Sequence, residues 1–306
     1  MGWKANDIPD QTGRVAVVTG GNGGLGLETA RQLAEHGAVV VIGARNMDKA
    51  DAARVSITST CPAASLEIRQ LDLASLASVA AFAAAVKDAH PKIDMLFNNA
   101  GVMAVKEGTT ADGFEIQFGT NVLGHFALTM HLLPALLAAP APRVVNTTST
   151  ARYVAGKYDL SNPHMRGCYS AWGAYGMSKR ADLQLAFELN RRLADRSLTA
   201  YAADPGFSKT GLQQASVRAN GGFMQHFWNV VTAVMGQPAA MGALPQLRAA
   251  TDPAAKGATL YAPRWYTFGA PVVRGVGKNI DKPAQMAQLW ELCECETGLT
   301  LREALS

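Results

Sequence analysis

The stretch Thr19-Gly-Gly-Asn-Gly-Gly-Leu-Gly26 constrains this chain more than any other. It closes a short β-branched run, Arg14-Val-Ala-Val-Val-Thr19, and opens Leu25 to His36, which has helical periodicity and stops at Gly37. A strand that turns into a helix through glycines exposes bare backbone N–H groups where the helix N-terminus carries partial positive charge. Such a turn suits a pyrophosphate. Two patterns fit: Gly21, Gly23 and Gly26 satisfy G-x-G-x-x-G, and Gly20, Gly24 and Gly26 satisfy T-G-x-x-x-G-x-G. With a strand before it and a helix after, the stretch reads as more than a glycine-rich turn.

Strand-like and helix-like segments go on alternating through the first two-thirds of the chain. Strands are expected at Ala38 to Gly43, Leu66 to Leu71, Ile93 to Phe97, Arg143 to Thr148 and Leu198 to Ala203. Helices are expected at Asp48 to Thr60, Leu76 to Ala89, Ala111 to Leu137 with a kink or turn at Pro134, and Ala174 to Ala194. Pro238 to Ala250 reads as a further helix and Gly257 to Ala262 as a seventh strand. Continuous Val/Ile/Leu runs separated by helices predict an α/β fold: a doubly wound Rossmann-type parallel sheet of about seven strands, with helices on both faces. No linker-like shift in composition divides it, so residues 1–306 are expected to form one domain. A hydrophobic content of 48% with 17% charged residues fits such a core.

The net charge of +4 is small, and Lys and Arg are dispersed, which argues against nucleic acid or an anionic membrane surface as a partner. Met1 to Gln11 lacks the basic-then-apolar layout of a signal peptide. No membrane span is expected either: Phe223 to Met235 is too short and carries Gln225, His226 and Asn229. Cytoplasmic location is the simplest expectation. Cys61, Cys168, Cys293 and Cys295 have no zinc-type spacing, so free thiols and no metal site are expected.

The end of the second strand should select the cofactor, because an acid there suits the ribose of NAD and an Arg the 2′-phosphate of NADP. The chain reads Val41-Ile42-Gly43-Ala44-Arg45, with no acid before Asp48. Arg45 can pair with a phosphate through two hydrogen bonds, so NADP(H) is expected over NAD(H).

Tyr175 and Lys179 lie four positions apart at the head of a helical pattern in which Ala181, Leu185, Leu189 and Leu193 recur. On a helix they share a face. An ammonium about 4 Å from a phenol stabilises the phenolate by roughly 4 kcal/mol at an effective dielectric near 20. That is about three pKa units, enough to bring a tyrosine near neutral pH. Tyr153 and Lys157 share the same spacing, but Gly156 intervenes and no sustained helical pattern follows. The Tyr175 pair is therefore preferred.

Taken together, Thr19 to Gly26, Asp72-Leu73, Asn98-Asn99-Ala100-Gly101, Asn121, Ser149, Tyr175 with Lys179, and Pro205-Gly206 resemble the short-chain dehydrogenase/reductase family, in its single-domain form, through about Thr210. The resemblance implies hydride transfer between an alcohol and its ketone or aldehyde. It implies that Gly20, Asn22, Gly24, Leu25 and Gly26 hold the pyrophosphate. Asp72 and Leu73 would meet the adenine, Asn98, Ala100 and Gly101 would line the cofactor and brace the sheet, and Pro205, Gly206 and Thr210 would flank the nicotinamide. Tyr175 would be the acid/base, Lys179 would lower its pKa and hold the ribose, Ser149 would polarise the carbonyl, and Asn121 would position a water beside Lys179. Thr147-Thr148-Ser149-Thr150 offers four hydroxyls, and the family pattern selects Ser149.

Ser149 and Tyr175 are 26 positions apart, about twice the usual family spacing. The added residues, Arg152 to Trp172, include Tyr153, Tyr158, Tyr169 and Trp172, and read as a wall or lid for the substrate. This resembles the retinol dehydrogenase and protochlorophyllide reductase branch and implies a bulky, apolar small-molecule substrate. Residues 207–236 would form a substrate cover, and 263–306 a tail with Asp281 and Pro283 as helix-start signals and Gly298 as its stop. The resemblance also implies a homodimer or homotetramer, in contact through the helices beginning near Ala111 and Ala174. A non-catalytic NADP(H)-binding sensor of the same fold is the alternative, which the presence of Ser149, Tyr175 and Lys179 disfavours.

Overall fold

The computed structural model describes residues 2–153, 156, 158–208, 237–277 and 279–305. Its strands are β1 (Val15–Thr19), β2 (Val39–Ala44), β3 (Ser65–Gln70), β4 (Met95–Asn98), β5 (Arg143–Thr147), β6 (Thr199–Ala203), β7 (Leu260–Pro263) and β8 (Pro271–Arg274). They form one sheet in the order β3-β2-β1-β4-β5-β6-β7-β8. All pairs are parallel except β7 with β8. The strand order reverses between β1 and β4, which opens a crevice at the C-terminal ends of the strands. β8 is the strand that sequence patterning missed. It is four residues long, starts at a proline and leaves Val273 56% exposed, as an edge strand tolerates.

Alternating side chains of β1 divide the core. Ala16 and Val18 pack with α1 (Gly24–Glu35), α2 (Met47–Thr58) and α6 (Ala239–Thr251). Val17 faces α3 (Leu76–Ala89), α4 (Gly124–Leu137) and α5 (Ala171–Arg192) on the other side. Helix α5 starts where the Ser170 side chain accepts the Gly173 N–H, a standard N-cap, and so places Tyr175 just past its first turn.

The helix expected from Ala111 begins later. Gly113 adopts φ +86 and the Glu115 carboxylate caps Ile116–Phe118 by accepting the N–H groups of Gln117 and Phe118. A wide π-type turn, Gly119–Leu123, then joins α4. The stretch Ile116–Leu137 is long and apolar enough to span a bilayer by composition, yet 83% of its apolar window is buried, as befits a central core helix.

The tail forms α7 (Pro283–Thr297), stopped by Gly298 in the left-handed conformation as expected. It packs along α5. Trp290 meets the ring of Phe126 from α4 edge-on at 5.0 Å, and Arg192 of α5 lies 5.0 Å from its centroid. The tail thus covers part of the α4–α5 face to which the resemblance assigned subunit contact.

Candidate active site

The glycine turn is locked to the β4 end by one hydroxyl. Thr19 Oγ1 accepts the N–H groups of Asn99 and Ala100, each at 2.9 Å, while Asn99 Nδ2 donates to the Thr19 carbonyl at 2.8 Å. Gly26 sits where a Cβ would lie 2.3 Å from the Gly20 carbonyl, so no other residue allows this close return of helix to turn. A groove of about 380 Å³ opens in front. Gly20, Asn22, Gly24 and Leu25 line one side, Arg45 the end of β2, Asp72 and Leu73 the end of β3, and Ala100 and Gly101 the floor beyond β4.

Asn98 lies behind the groove. Its Nδ2 donates to Thr129 Oγ1 and Asn146 Oδ1, bracing β4 against α4 and β5. Lys49 and Thr120 are among the groove residues that the sequence reading did not assign. Lys49 stands one helical turn beyond the Asn46 cap, which accepts its N–H and folds α2 back over the groove beside Arg45. Asn99 and Thr120 line it too, and Thr120 Oγ1 is buried with no hydrogen-bond partner among the described residues.

The second group of side chains gathers at the ends of β5 and β6. The Ser149 hydroxyl lies beside the Tyr175 phenol, close enough to lower its pKa. Its neighbours are otherwise engaged: Thr147 Oγ1 donates to Gln246 and Thr148 Oγ1 to the Lys179 carbonyl. Lys179 Nζ is 5.9 Å from the centre of the Tyr175 ring, and a Cβ on Gly101 would lie 3.6 Å from it, so groove and catalytic cluster adjoin. Tyr153, the rival, is 52% exposed in a short 3₁₀ turn with Arg152 stacked on its ring. Lys157 lies outside the described residues.

One expectation reverses. Burial of the phenol raises the pKa of Tyr175, and the pull of Lys179 and of the Ser149 hydroxyl does not overcome it; Asp204 and Asp182 add to the rise. The sequence estimate placed an isolated ammonium beside a solvated phenol and left out both burial and these carboxylates.

Asn121 occupies the π-type turn. Its Oδ1 accepts the Val102 N–H, and its Nδ2 donates to the Val102 carbonyl and to Ser178 Oγ. Both amide hydrogens therefore clamp the Gly101–Val102 loop to α5. Pro205 and Gly206 follow β6, with Gly206 at φ +64, where an added Cβ would lie 2.6 Å from the Thr267 carbonyl. A buried ion pair between Arg152 and Asp204 ties this loop to the turn after Ser149. Thr210 and most of the expected substrate cover lie outside the described residues.

The added segment is anchored rather than free-standing. His164 stacks on Phe114 at 5.7 Å, and Tyr169 donates to the Val105 carbonyl. Tyr158 is enclosed beneath Arg180, and burial pushes its pKa upward. Trp172 is the member that reaches the cluster, 38% exposed and edge-on to Tyr175 at 6.0 Å.

A glycine-cradled groove at the switch point of a doubly wound sheet, opening beside a Ser–Tyr–Lys cluster, defines a class of dinucleotide-binding oxidoreductase folds. The family model described as short chain dehydrogenase matches residues 14–221, and the chain belongs to that family of oxidoreductases. A short-chain dehydrogenase/reductase of Armillaria gallica is 38% identical over 96% of this chain and 93% of its own. Retinol dehydrogenase 13 of Homo sapiens is 41% identical over 65% of this chain and 60% of its own. A crystal structure of an uncharacterised protein from Mycobacterium paratuberculosis superimposes with a TM-score of 0.81 at 37% identity, covering 98% and 99% of the two chains.

Proposed function

We propose that the chain is an NADP(H)-dependent oxidoreductase that interconverts an alcohol and its ketone or aldehyde, with Tyr175 as the acid/base. The observation that carries this reading is the convergence of the Ser149 hydroxyl, the Tyr175 phenol and the Lys179 ammonium at the edge of the glycine-lined groove. The groove fits an adenine dinucleotide bearing a ribose phosphate. Its glycine turn leaves N–H groups for the pyrophosphate, Thr120 Oγ1 is a buried hydroxyl in want of a partner, and Arg45 and Lys49 are two exposed cations at one end.

When bound, the dinucleotide supplies or accepts the hydride. Ser149 then hydrogen-bonds the substrate oxygen and stabilises the charge that develops on it. Tyr175 donates its proton to that oxygen in reduction and takes it back in oxidation. The nearby Lys179 charge favours the phenolate that results. Asn121 acts through the Gly101–Val102 loop, which it holds beside Lys179. The exposed faces of Trp172 and Tyr153 favour a bulky, apolar substrate, in keeping with relatives named retinol dehydrogenase and polyprenol dehydrogenase.

The test is a fluorescence titration with NADPH and NADH, then a panel of apolar aldehydes and ketones followed by nicotinamide absorbance. Tyr175→Phe should lower kcat by about 10²–10⁴-fold while sparing NADPH affinity. Wild-type protein that binds NADPH tightly and turns over nothing in the panel would favour the sensor instead. Full activity in the Phe variant would remove Tyr175 from its role.

A further inference from the structure

Among the described residues the Lys179 ammonium has two hydrogen-bond acceptors, and neither is Tyr175. Nζ donates to the Thr147 carbonyl at 3.0 Å and to Asp182 Oδ2 at 2.8 Å. Lys179 and Asp182 sit three residues apart on α5 and are 5% and 4% exposed. Both backbones are pinned to β5 and the residue after it: Asn146 Nδ2 donates to the Asp182 carbonyl at 2.9 Å, and Thr148 Oγ1 donates to the Lys179 carbonyl. Asp182 also lines a small cavity of about 20 Å³, room for about one water, and at 4% exposed it is little screened by bulk solvent.

The surrounding groups leave few charges to consider. Tyr175 is faced by Lys179 and Asp182 on its own helix, by Ser149 after β5 and by Asp204 after β6, the last paired with Arg152. Asp182 is faced by Lys179, by Cys293 from α7, by Tyr158 from the added segment and, across the cavity, by His125 from α4. Burial favours the neutral form of each of the last three: the Cys293 thiol and the Tyr158 phenol are pushed up, and His125 is pushed down to about 3. Among the described residues, the charges that bear on Tyr175 are therefore Lys179, Asp182 and the Arg152–Asp204 pair.

We propose that Asp182 is a positioning residue for the acid/base pair: its carboxylate holds the Lys179 ammonium against Thr147 and offsets part of the positive field that reaches Tyr175. This deepens the reading of Tyr175 as the acid/base and rests on it. The consequence is a matter of sign. An ammonium alone makes the phenol easier to deprotonate; a carboxylate bound to that ammonium makes it harder. Burial raises the pKa of Asp182 itself to about 6, and above that pH its carboxylate keeps Tyr175 protonated to higher pH, which serves a group that must donate in carbonyl reduction.

Asp182→Asn keeps the shape and removes the charge. The pH profile of alcohol oxidation with NADP⁺ should then move its lower limb toward acid by about one pH unit. The upper limb of carbonyl reduction should move the same way. Asp182→Glu retains a charge and should keep both limbs near their wild-type positions. A purely structural role would lower stability or kcat but leave the limbs in place. If the amide disturbs folding, Asp182→Ser offers a smaller uncharged side chain and the same expected shift. Limbs that stay put, or move toward higher pH, in a folded variant that binds NADPH overturn the proposal. Tyr175→Phe separates the two levels: turnover surviving there removes the acid/base reading itself, whereas a dead Phe variant beside an unmoved Asn profile removes the Asp182 inference alone.

Discussion

At the scale of single residues, cofactor choice turns on two cations at one end of the groove. Arg45 ends β2, and Lys49 comes round from the first turn of α2; both are exposed. A hydrogen bond from a charged donor contributes about 1.5–3 kcal/mol, roughly ten- to a hundredfold in affinity. Lys49→Gln should therefore weaken NADPH at least about tenfold and leave NADH unchanged, and Arg45→Asp should reverse the preference outright. An NADPH/NADH ratio of dissociation constants that stays constant in both variants would place the phosphate elsewhere. Arg45 was legible in the sequence because counting to the end of a strand locates it. Lys49 was not, since its place depends on the Asn46 cap that folds α2 back over the groove. Asp182 was hidden for a related reason. Its partner is found at helical spacing, but its effect comes from burial, which no local pattern reports.

Elements meet in a chain of hydrogen bonds that crosses the sheet end. His125 Nδ1 contacts the Asn121 carbonyl at 2.8 Å, and Nε2 contacts Thr19 Oγ1 at 2.9 Å. A carbonyl can only accept, so Nδ1 carries the hydrogen and Nε2 accepts from the threonine hydroxyl. The glycine turn, the π-type turn and α4 are thereby joined through one neutral imidazole. Burial depresses its pKa from 6.5 to about 3. The unfolded chain takes up the proton below its ordinary pKa while the folded chain does not, so this contribution is full above pH about 6.5 and is lost as pH falls toward 3. Between pH 6.5 and 5 the loss is about 1.6 kcal/mol. Urea unfolding at these two pH values should show it, and His125→Gln should remove that part of the slope; an unchanged slope would mean the imidazole is protonated in the folded chain. Helix α4 was legible as a long apolar stretch, but its start was not. Gly113 breaks the pattern and Glu115 supplies the cap, two local events that apolar periodicity passes over.

Across the whole molecule, the tail decides which surfaces remain for a partner. The sequence located α7 correctly, from Pro283 to Gly298, but left open whether it caps the active site or packs at a subunit interface. It docks on α4 and α5. Leu289, Trp290 and Cys293 are each at most 1% exposed, inserted among residues of α4 and α5 that belong to the main core. A second subunit approaching through those helices would have to displace a buried tryptophan, and truncating such a side chain costs about 3–5 kcal/mol. Light scattering is accordingly expected to report the mass of a single chain, and Trp290→Ala should lower unfolding stability by that same 3–5 kcal/mol. If Trp290→Ala is neutral, the helix is not held where it lies. A dimer that forms through α4 and α5 would then restore the contact implied by the resemblance, with the tail lifted away to admit it.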